Sequence, residues 1–190
     1  MRYETNPRLV VLDRDGTINI EKGYLSDPAE LELLPDAGKA IQRLNRAGVR
    51  VVVITNQSAV GRGYITHDTL DQIHARLRIL LRDEGAAVDA FYYCPHKPDE
   101  GCRCRKPETA LLAQALTDLG SRNPRIYVIG DQASDIEFGE RASGTTILVR
   151  TGQGEETLAR GNVKPHYICE NLLAASELLL RAEHATTHIA

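Results

Sequence analysis

Apolar residues along this chain fall into two alternating rhythms. Unbroken runs, RLVVLD (8–13), RVVVIT (50–55), DAFYYC (89–94), RIYVIG (125–130) and TTILVR (145–150), are bounded by polar, Gly or Pro residues. Such short continuous runs suit strands buried on both faces, as in parallel sheets. Between them the apolar spacing shifts to three and four. Ala37, Ala40, Ile41, Leu44 and Ala47 predict a helix over 36–47 that stops at Gly48. Leu70, Ile73, Leu77 and Leu80 predict another over 67–84, with Thr66 as its N-cap. Further helices are predicted from Pro107, a first-turn residue, to Gly120, over 136–142 and over 170–187. The segment 151–164 reads as a loop, and residues 184–190 are expected to fray.

Strands alternating with helices predict an α/β fold, a doubly wound Rossmann-like parallel sheet with right-handed crossovers. The 190 residues suit one domain spanning 1–190. Ligands of such sheets gather beyond the carboxyl ends of the strands. The chemically unusual residues lie there: Asp13 and Asp15 after the first run, Thr55 and Asn56 after the second, Cys94 and His96 at the third, Asp131 and Asp135 after the fourth.

Composition excludes some partners. With 23 Lys and Arg against 26 Asp and Glu, the formal charge is -3, and no basic block is long enough to track a nucleic-acid backbone. The N-terminal residues lack a signal-peptide pattern, and no apolar stretch approaches the roughly 20 residues of a membrane span. A cytoplasmic protein acting on a small molecule, with no membrane and no nucleic-acid partner, is expected. No exposed hydrophobic stripe is apparent, so a monomer is expected too.

Asp13 and Asp15, joined by Asp131 from another strand end, are too close to share a site uncompensated: either one takes up a proton or a metal ion sits among them. All-oxygen ligation favours Mg²⁺, which is usually held by one or two carboxylates plus a substrate phosphate. Asp13 can then attack phosphorus, and Asp15, two positions on, can protonate the leaving alcohol and later deprotonate water. Gly16 lets the backbone turn tightly beside the phosphate. Thr55, Asn56 and Lys106 are placed to meet the phosphoryl charge.

DRDGT at 13–17, Thr55 after an apolar strand, Lys106 before Pro107 and GDQASD at 130–135 resemble, in order, the four motifs of the haloacid dehalogenase (HAD) superfamily phosphatases. The resemblance implies Asp13 as nucleophile and Mg²⁺ ligand, and Asp15 as general acid/base and backbone ligand. It implies Thr55 and Lys106 on the phosphate, Asp131 as a further Mg²⁺ carboxylate and Asp135 in support.

CPHKPDEGCRCRKP carries Cys94, His96, Cys102 and Cys104, three thiolates and one imidazole within eleven residues. That set matches a closed, structural Cys3His Zn²⁺ site. Cys104 lies two residues before Lys106, so closing the metal loop at 94–104 would fix Arg105 and Lys106. Cys169 reads as a core residue, and His67, His74 and His166 as surface or partly buried.

The zinc loop, TNQSAVGRGY (55–64) and GYLSDPAELELLPDA (23–37) together resemble the phosphatases that remove the 7-phosphate from D-glycero-D-manno-heptose 1,7-bisphosphate, in nucleotide-activated heptose biosynthesis for lipopolysaccharide or surface glycans. Arg62 and Arg105 could bind the second phosphate of such a substrate bidentately. The related histidinol-phosphate phosphatases share the zinc loop and form the alternative. From a different class, a catalytically silent zinc-stabilised binding protein would require loss of the motif residues, and all are present. Only about 40 residues separate the first two motifs, so no separate cap domain is expected.

Overall fold

The five apolar runs become strands of one sheet in the computed structural model, which describes residues 7–187, with side chains as far as Arg181. Strands β1 (Arg8–Leu12), β2 (Arg50–Asn56), β3 (Ala90–Cys94), β4 (Arg125–Gly130) and β5 (Thr145–Val149) are joined by a short edge strand, β6 (Tyr167–Cys169). All pairings are parallel, in the order β3-β2-β1-β4-β5-β6. The sheet reverses direction of winding at β1, which lies between β2 and β4. That reversal is where α/β sheets bind ligands.

Side-chain alternation explains why the runs are continuously apolar. Val10, Leu12, Val51 and Val53 face helices α1 (Ala37–Arg46), α3 (His67–Asp83) and α7 (Leu172–Thr187), while Leu9, Val11, Val52 and Ile54 face α4 (Ala110–Asp118) and α5 (Ala133–Arg141). Both faces are covered, so neither can be polar. In α1 the predicted positions Ala37, Ala40, Ile41 and Leu44 are buried, and Gly48 follows the helix with positive φ. Thr66 caps α3 by accepting a hydrogen bond from the Thr69 amide at 3.0 Å.

Several elements differ from expectation. The helix predicted from Pro107 begins instead at Ala110. Residues 105–108 form a turn closed by the Glu108 amide on the Arg105 carbonyl, and the Lys106–Pro107 peptide is cis. Helix α5 begins at Ala133 because Gln132 and Asp135 form a reciprocal capping box. The predicted loop 151–164 contains α6 (Gly154–Arg160), whose first turn carries Glu155 and Glu156, whose last carries Arg160, and which ends on Gly161 in the left-handed conformation. A short α2 (Ser58–Gly61) and a 3-10 turn at Pro28–Glu30 also went unpredicted. The fraying expected at 184–190 falls, beyond the backbone of α7, outside the described residues.

Among the described residues, only the 3-10 turn, α1, α2 and α3 occupy the intervals from β1 to β3, so no separate cap domain covers the strand ends. No described helix is long and apolar enough to cross a membrane.

Candidate active site

The first residue after β1 is Asp13, whose amide donates to the Ile129 carbonyl on β4, and the first after β4 is Asp131. Adjacency of these two strands therefore brings together carboxylates 118 positions apart in sequence. Asp135, in the first turn of α5, joins them; one oxygen from each of the three lies within 4.8 Å of the others. Lys106 enters from the loop between β3 and α4, its Nζ 2.6 Å from Asp13 Oδ1 and 2.6 Å from Asp135 Oδ1. All four side chains are buried.

Three negative groups against one positive leave two charges unbalanced. Burial, with Asp135 and Asp15 adding to it and Lys106 opposing, pushes Asp13 up to about 7. Burial, with Asp13 and Asp135, pushes Asp131 up to about 8. For Lys106, burial works against the charge, but Asp13 and Asp135 outweigh it and hold the pKa above the ordinary lysine value. A hard divalent cation among the carboxylates matches both the oxygen donors and the missing charge.

Glycine makes the close approach possible. At Gly16, with φ of +79°, a Cβ would lie 2.2 Å from Asp131 Oδ2, and at Gly152, with φ of +58°, it would meet the same oxygen at 2.2 Å. The turn after β5 is drawn in with them: the Gln153 amide donates to Asp131 Oδ2 at 2.7 Å, and Thr151 Oγ1 donates to the Gly16 carbonyl at 2.6 Å.

Asp15 sits apart from this quartet. Arg14 Nη2 donates to its Oδ2 at 2.7 Å and Oδ1 at 2.9 Å, Gln57 Nε2 donates to Oδ2 at 2.8 Å, and Asn19 Nδ2 donates to Oδ1 at 2.9 Å. Burial would raise the Asp15 pKa, but the Arg14 charge and these hydrogen bonds overcome it and lower it. Gln57 Nε2 also donates to Thr55 Oγ1 at 2.9 Å, so one amide touches both groups.

Asp13, Asp15, Gln57 and Lys106 line a cleft of about 400 Å³, together with Glu21, Tyr24, Thr55 and Arg105. Asn56 lies on its wall, yet its side chain is engaged at both ends with Lys106: Oδ1 accepts from the Lys106 amide at 2.9 Å and Nδ2 donates to the Lys106 carbonyl at 3.2 Å. Arg62, expected at the second phosphate, is exposed just past the end of α2 and is absent from the cleft wall, because that short helix carries it away. His74, expected as a surface or partly buried residue, is buried on α3. Sequence reasoning also missed Gln57, Glu21 and Tyr24. Gln57 stood inside the quoted TNQS run and Tyr24 inside the quoted GYLSDPAELELLPDA run, while Glu21 carried no motif.

Beyond β3, Cys94, His96, Cys102 and Cys104 converge. Cys104 Sγ lies 3.1 Å from Cys94 Sγ and 3.6 Å from Cys102 Sγ, Cys94 and Cys102 are 3.5 Å apart, and His96 Nδ1 is 3.2 Å from Cys104 Sγ. Metal–sulfur bonds of about 2.3 Å in a tetrahedron put neighbouring sulfurs about 3.8 Å apart. The four can therefore hold a metal ion with little adjustment, and all the cysteines are free thiols. The loop is tied to the site: the Gln57 amide donates to the Cys94 carbonyl at 2.8 Å, and Arg105 Nη1 donates to the His96 carbonyl at 3.3 Å. Cys169 is a buried core residue on β6, as expected.

A parallel sheet carrying this carboxylate and lysine arrangement at its winding reversal defines a HAD-like phosphatase, a phosphoric monoester hydrolase. The HAD-hydrolase-like family pattern matches residues 103–175. The D-glycero-beta-D-manno-heptose-1,7-bisphosphate 7-phosphatase of Pseudomonas putida is 38% identical over 174 residues, covering 91% of this chain and 99% of its own. The crystal structure of D,D-heptose 1,7-bisphosphate phosphatase from B. bronchiseptica, complexed with magnesium and phosphate, has a TM-score of 0.86 at 36% identity, covering 92% of this chain and 99% of that one. That from Burkholderia thailandensis has a TM-score of 0.68 at 34% identity, covering 91% and 98%. The chain belongs to the D-glycero-D-manno-heptose-1,7-bisphosphate 7-phosphatase family.

Proposed function

We propose that this chain hydrolyses the 7-phosphate of D-glycero-D-manno-heptose 1,7-bisphosphate, in the β configuration named for its relatives, through an aspartyl-phosphate on Asp13. The observation that carries the reading is the buried quartet of Asp13, Lys106, Asp131 and Asp135, two positive charges short of balance. Asp13, Asp131 and the Asp15 carbonyl would hold Mg²⁺, with Asp135 supporting the shell. When bound, that ion supplies the charge that keeps the carboxylates ionised and draws in the substrate phosphate.

Asp13 attacks phosphorus while the bond from phosphorus to the sugar oxygen breaks. Asp15 gives its proton to the departing oxygen, then takes one from the water that attacks the aspartyl-phosphate, releasing inorganic phosphate and the Asp13 carboxylate. A phosphate dianion beside Asp15 disfavours a second negative charge there and so favours the protonated form the first step needs. Thr55 and Lys106 bind the phosphoryl oxygens, and Asn56 acts by holding the Lys106 backbone. Arg105, on the cleft wall, takes the second phosphate. Cys94, His96, Cys102 and Cys104 would hold Zn²⁺, which would fix the loop that delivers Arg105 and Lys106. Thiolate ligation of that kind suits a reducing compartment, and we place the enzyme in the cytoplasm as a monomer.

The test is Mg²⁺-dependent phosphate release from both heptose 1,7-bisphosphate anomers and from histidinol phosphate, with Asp13→Asn as the blank. Preference for the β anomer, abolished in the blank, is expected. Preference for histidinol phosphate would overturn the substrate reading, and release undiminished by Asp13→Asn would overturn the mechanism.

A further inference from the structure

Among the described residues Arg14 is the largest fully buried side chain, and it stands between the two aspartates of the first motif. A buried guanidinium must spend its N–H groups on acceptors or destabilise the fold. One edge faces Asp15, with a further contact from Nη2 to Gln57 Oε1 at 3.2 Å. The other edge, Nη1, meets His74 Nε2 at 3.3 Å. Guanidinium has no acceptor, so His74 must accept, with its proton on Nδ1 and its ring neutral. The same conclusion follows from its surroundings: burial and Arg14 push the His74 pKa down to about 3.

The imidazole is not free to turn. It stacks on Phe91 with ring centres 4.8 Å apart and an interplanar angle of 22°, and Arg78 covers the Phe91 ring at 4.5 Å. Its ring centre is 5.8 Å from that of Tyr93. His74 is thus a fixed acceptor on α3, Arg14 is gripped from behind, and the Asp15 carboxylate is gripped by Arg14.

We propose that His74 is a positioning residue: by fixing the far edge of Arg14 it sets the direction in which Asp15 presents its carboxyl group to the leaving oxygen. This rests on the reading of Asp15 as the group that protonates that oxygen. Without the acceptor, the far edge of Arg14 is unheld and only its Asp15 and Gln57 contacts remain, so the direction of the Asp15 carboxyl group loosens with it.

Leaving-group dependence tests the idea. A sugar alkoxide needs a proton to depart, whereas 4-nitrophenolate does not, and kcat/KM reports the steps through departure of the alcohol for both. In Mg²⁺-loaded enzyme, His74→Phe keeps the stack and removes the acceptor. It is expected to lower kcat/KM for heptose 1,7-bisphosphate by about 10- to 100-fold and for 4-nitrophenyl phosphate by less than about threefold. His74→Gln, whose amide oxygen can replace Nε2, should restore most of the loss, and Arg14→Lys, which cannot hold both edges, should reproduce the selectivity. Asp15→Asn separates the two readings. If it discriminates between the substrates while His74→Phe lowers both in parallel or neither, or if His74→Gln is no better than His74→Phe, the role of His74 is overturned and that of Asp15 stands. If Asp15→Asn lowers both equally, the assignment of Asp15 falls and the proposal with it.

Discussion

Lys106 carries more of the site than its single charge suggests, because its ammonium is shared by Asp13 and Asp135 and its backbone is held at both ends of the Asn56 amide. Replacing it with methionine leaves three buried carboxylates with no protein cation, and a fall in kcat of about 10²- to 10³-fold is expected in the phosphate-release assay. Asn56→Ala keeps the ammonium but releases its backbone; a smaller loss, about tenfold in kcat/KM, is expected. Wild-type activity in Asn56→Ala would mean that the cis turn after Lys106 positions the side chain unaided. Asp13, Asp15, Lys106 and Asp131 were legible because each follows a strand or precedes a proline in a recognisable order. Arg14 and Gln57 were not, since what they touch depends on how the ends of β1 and β2 meet. His74 did leave a signal: positions 70, 73, 74, 77 and 81 form one helical stripe, all of it buried. Read in that stripe, His74 belongs to the core face of α3.

At the scale of elements, the active site is supported by loops that the strand pattern does not describe. The four-ligand loop joins the end of β3 to Lys106, touches the start of α2 through the Gln57 amide, and holds Arg105 through the His96 carbonyl. Cys104→Ser should therefore lower zinc content, measured on the purified protein, together with melting temperature. It should also lower kcat/KM by about 10- to 100-fold although it removes no group that meets the phosphate. Zinc-depleted protein with full activity would separate the loop from catalysis. This loop was legible because its ligand chemistry is local in sequence. Helix α6 was not, although Glu155 and Glu156 at its start, Arg160 at its end and Gly161 beyond it are ordinary helix signals. Gly152 and Gly154 masked them, and Gly152 is there because the turn must pass 2.2 Å, by its missing Cβ, from Asp131. The edge strand β6 has three residues, too few for an alternation to register.

For the molecule as a whole, five of the six strands of the described sheet could be read from the sequence but their order could not, and the order creates the site by placing β1 beside β4. The cost of that juxtaposition is spread over the whole fold and gives a pH signature. With Mg²⁺ removed by desalting, which leaves the thiolate site loaded, Asp13 and Asp131 have native pKa values of about 7 and about 8, against 3.8 for the ordinary carboxyl. Between roughly pH 4 and pH 8 the native state therefore binds more protons than the unfolded chain, and linkage requires their contribution to stability to fall as pH rises. It is fully present below about pH 4 and lost once pH passes the native values. Asp15 acts in the opposite sense, since its lowered pKa withdraws stability as the solution becomes acidic. The two effects separate when Mg²⁺ is added: on the proposed reading the cation binds the ionised Asp13 and Asp131 and so favours the folded state by mass action. Thermal melts at pH 5 and pH 8, with and without Mg²⁺, should show a larger Mg²⁺-dependent gain in Tm at pH 8, and Asp131→Asn should diminish it. An equal gain at both values would mean that the carboxylates are already ionised in the metal-free protein, with Lys106 alone sufficient to hold them together.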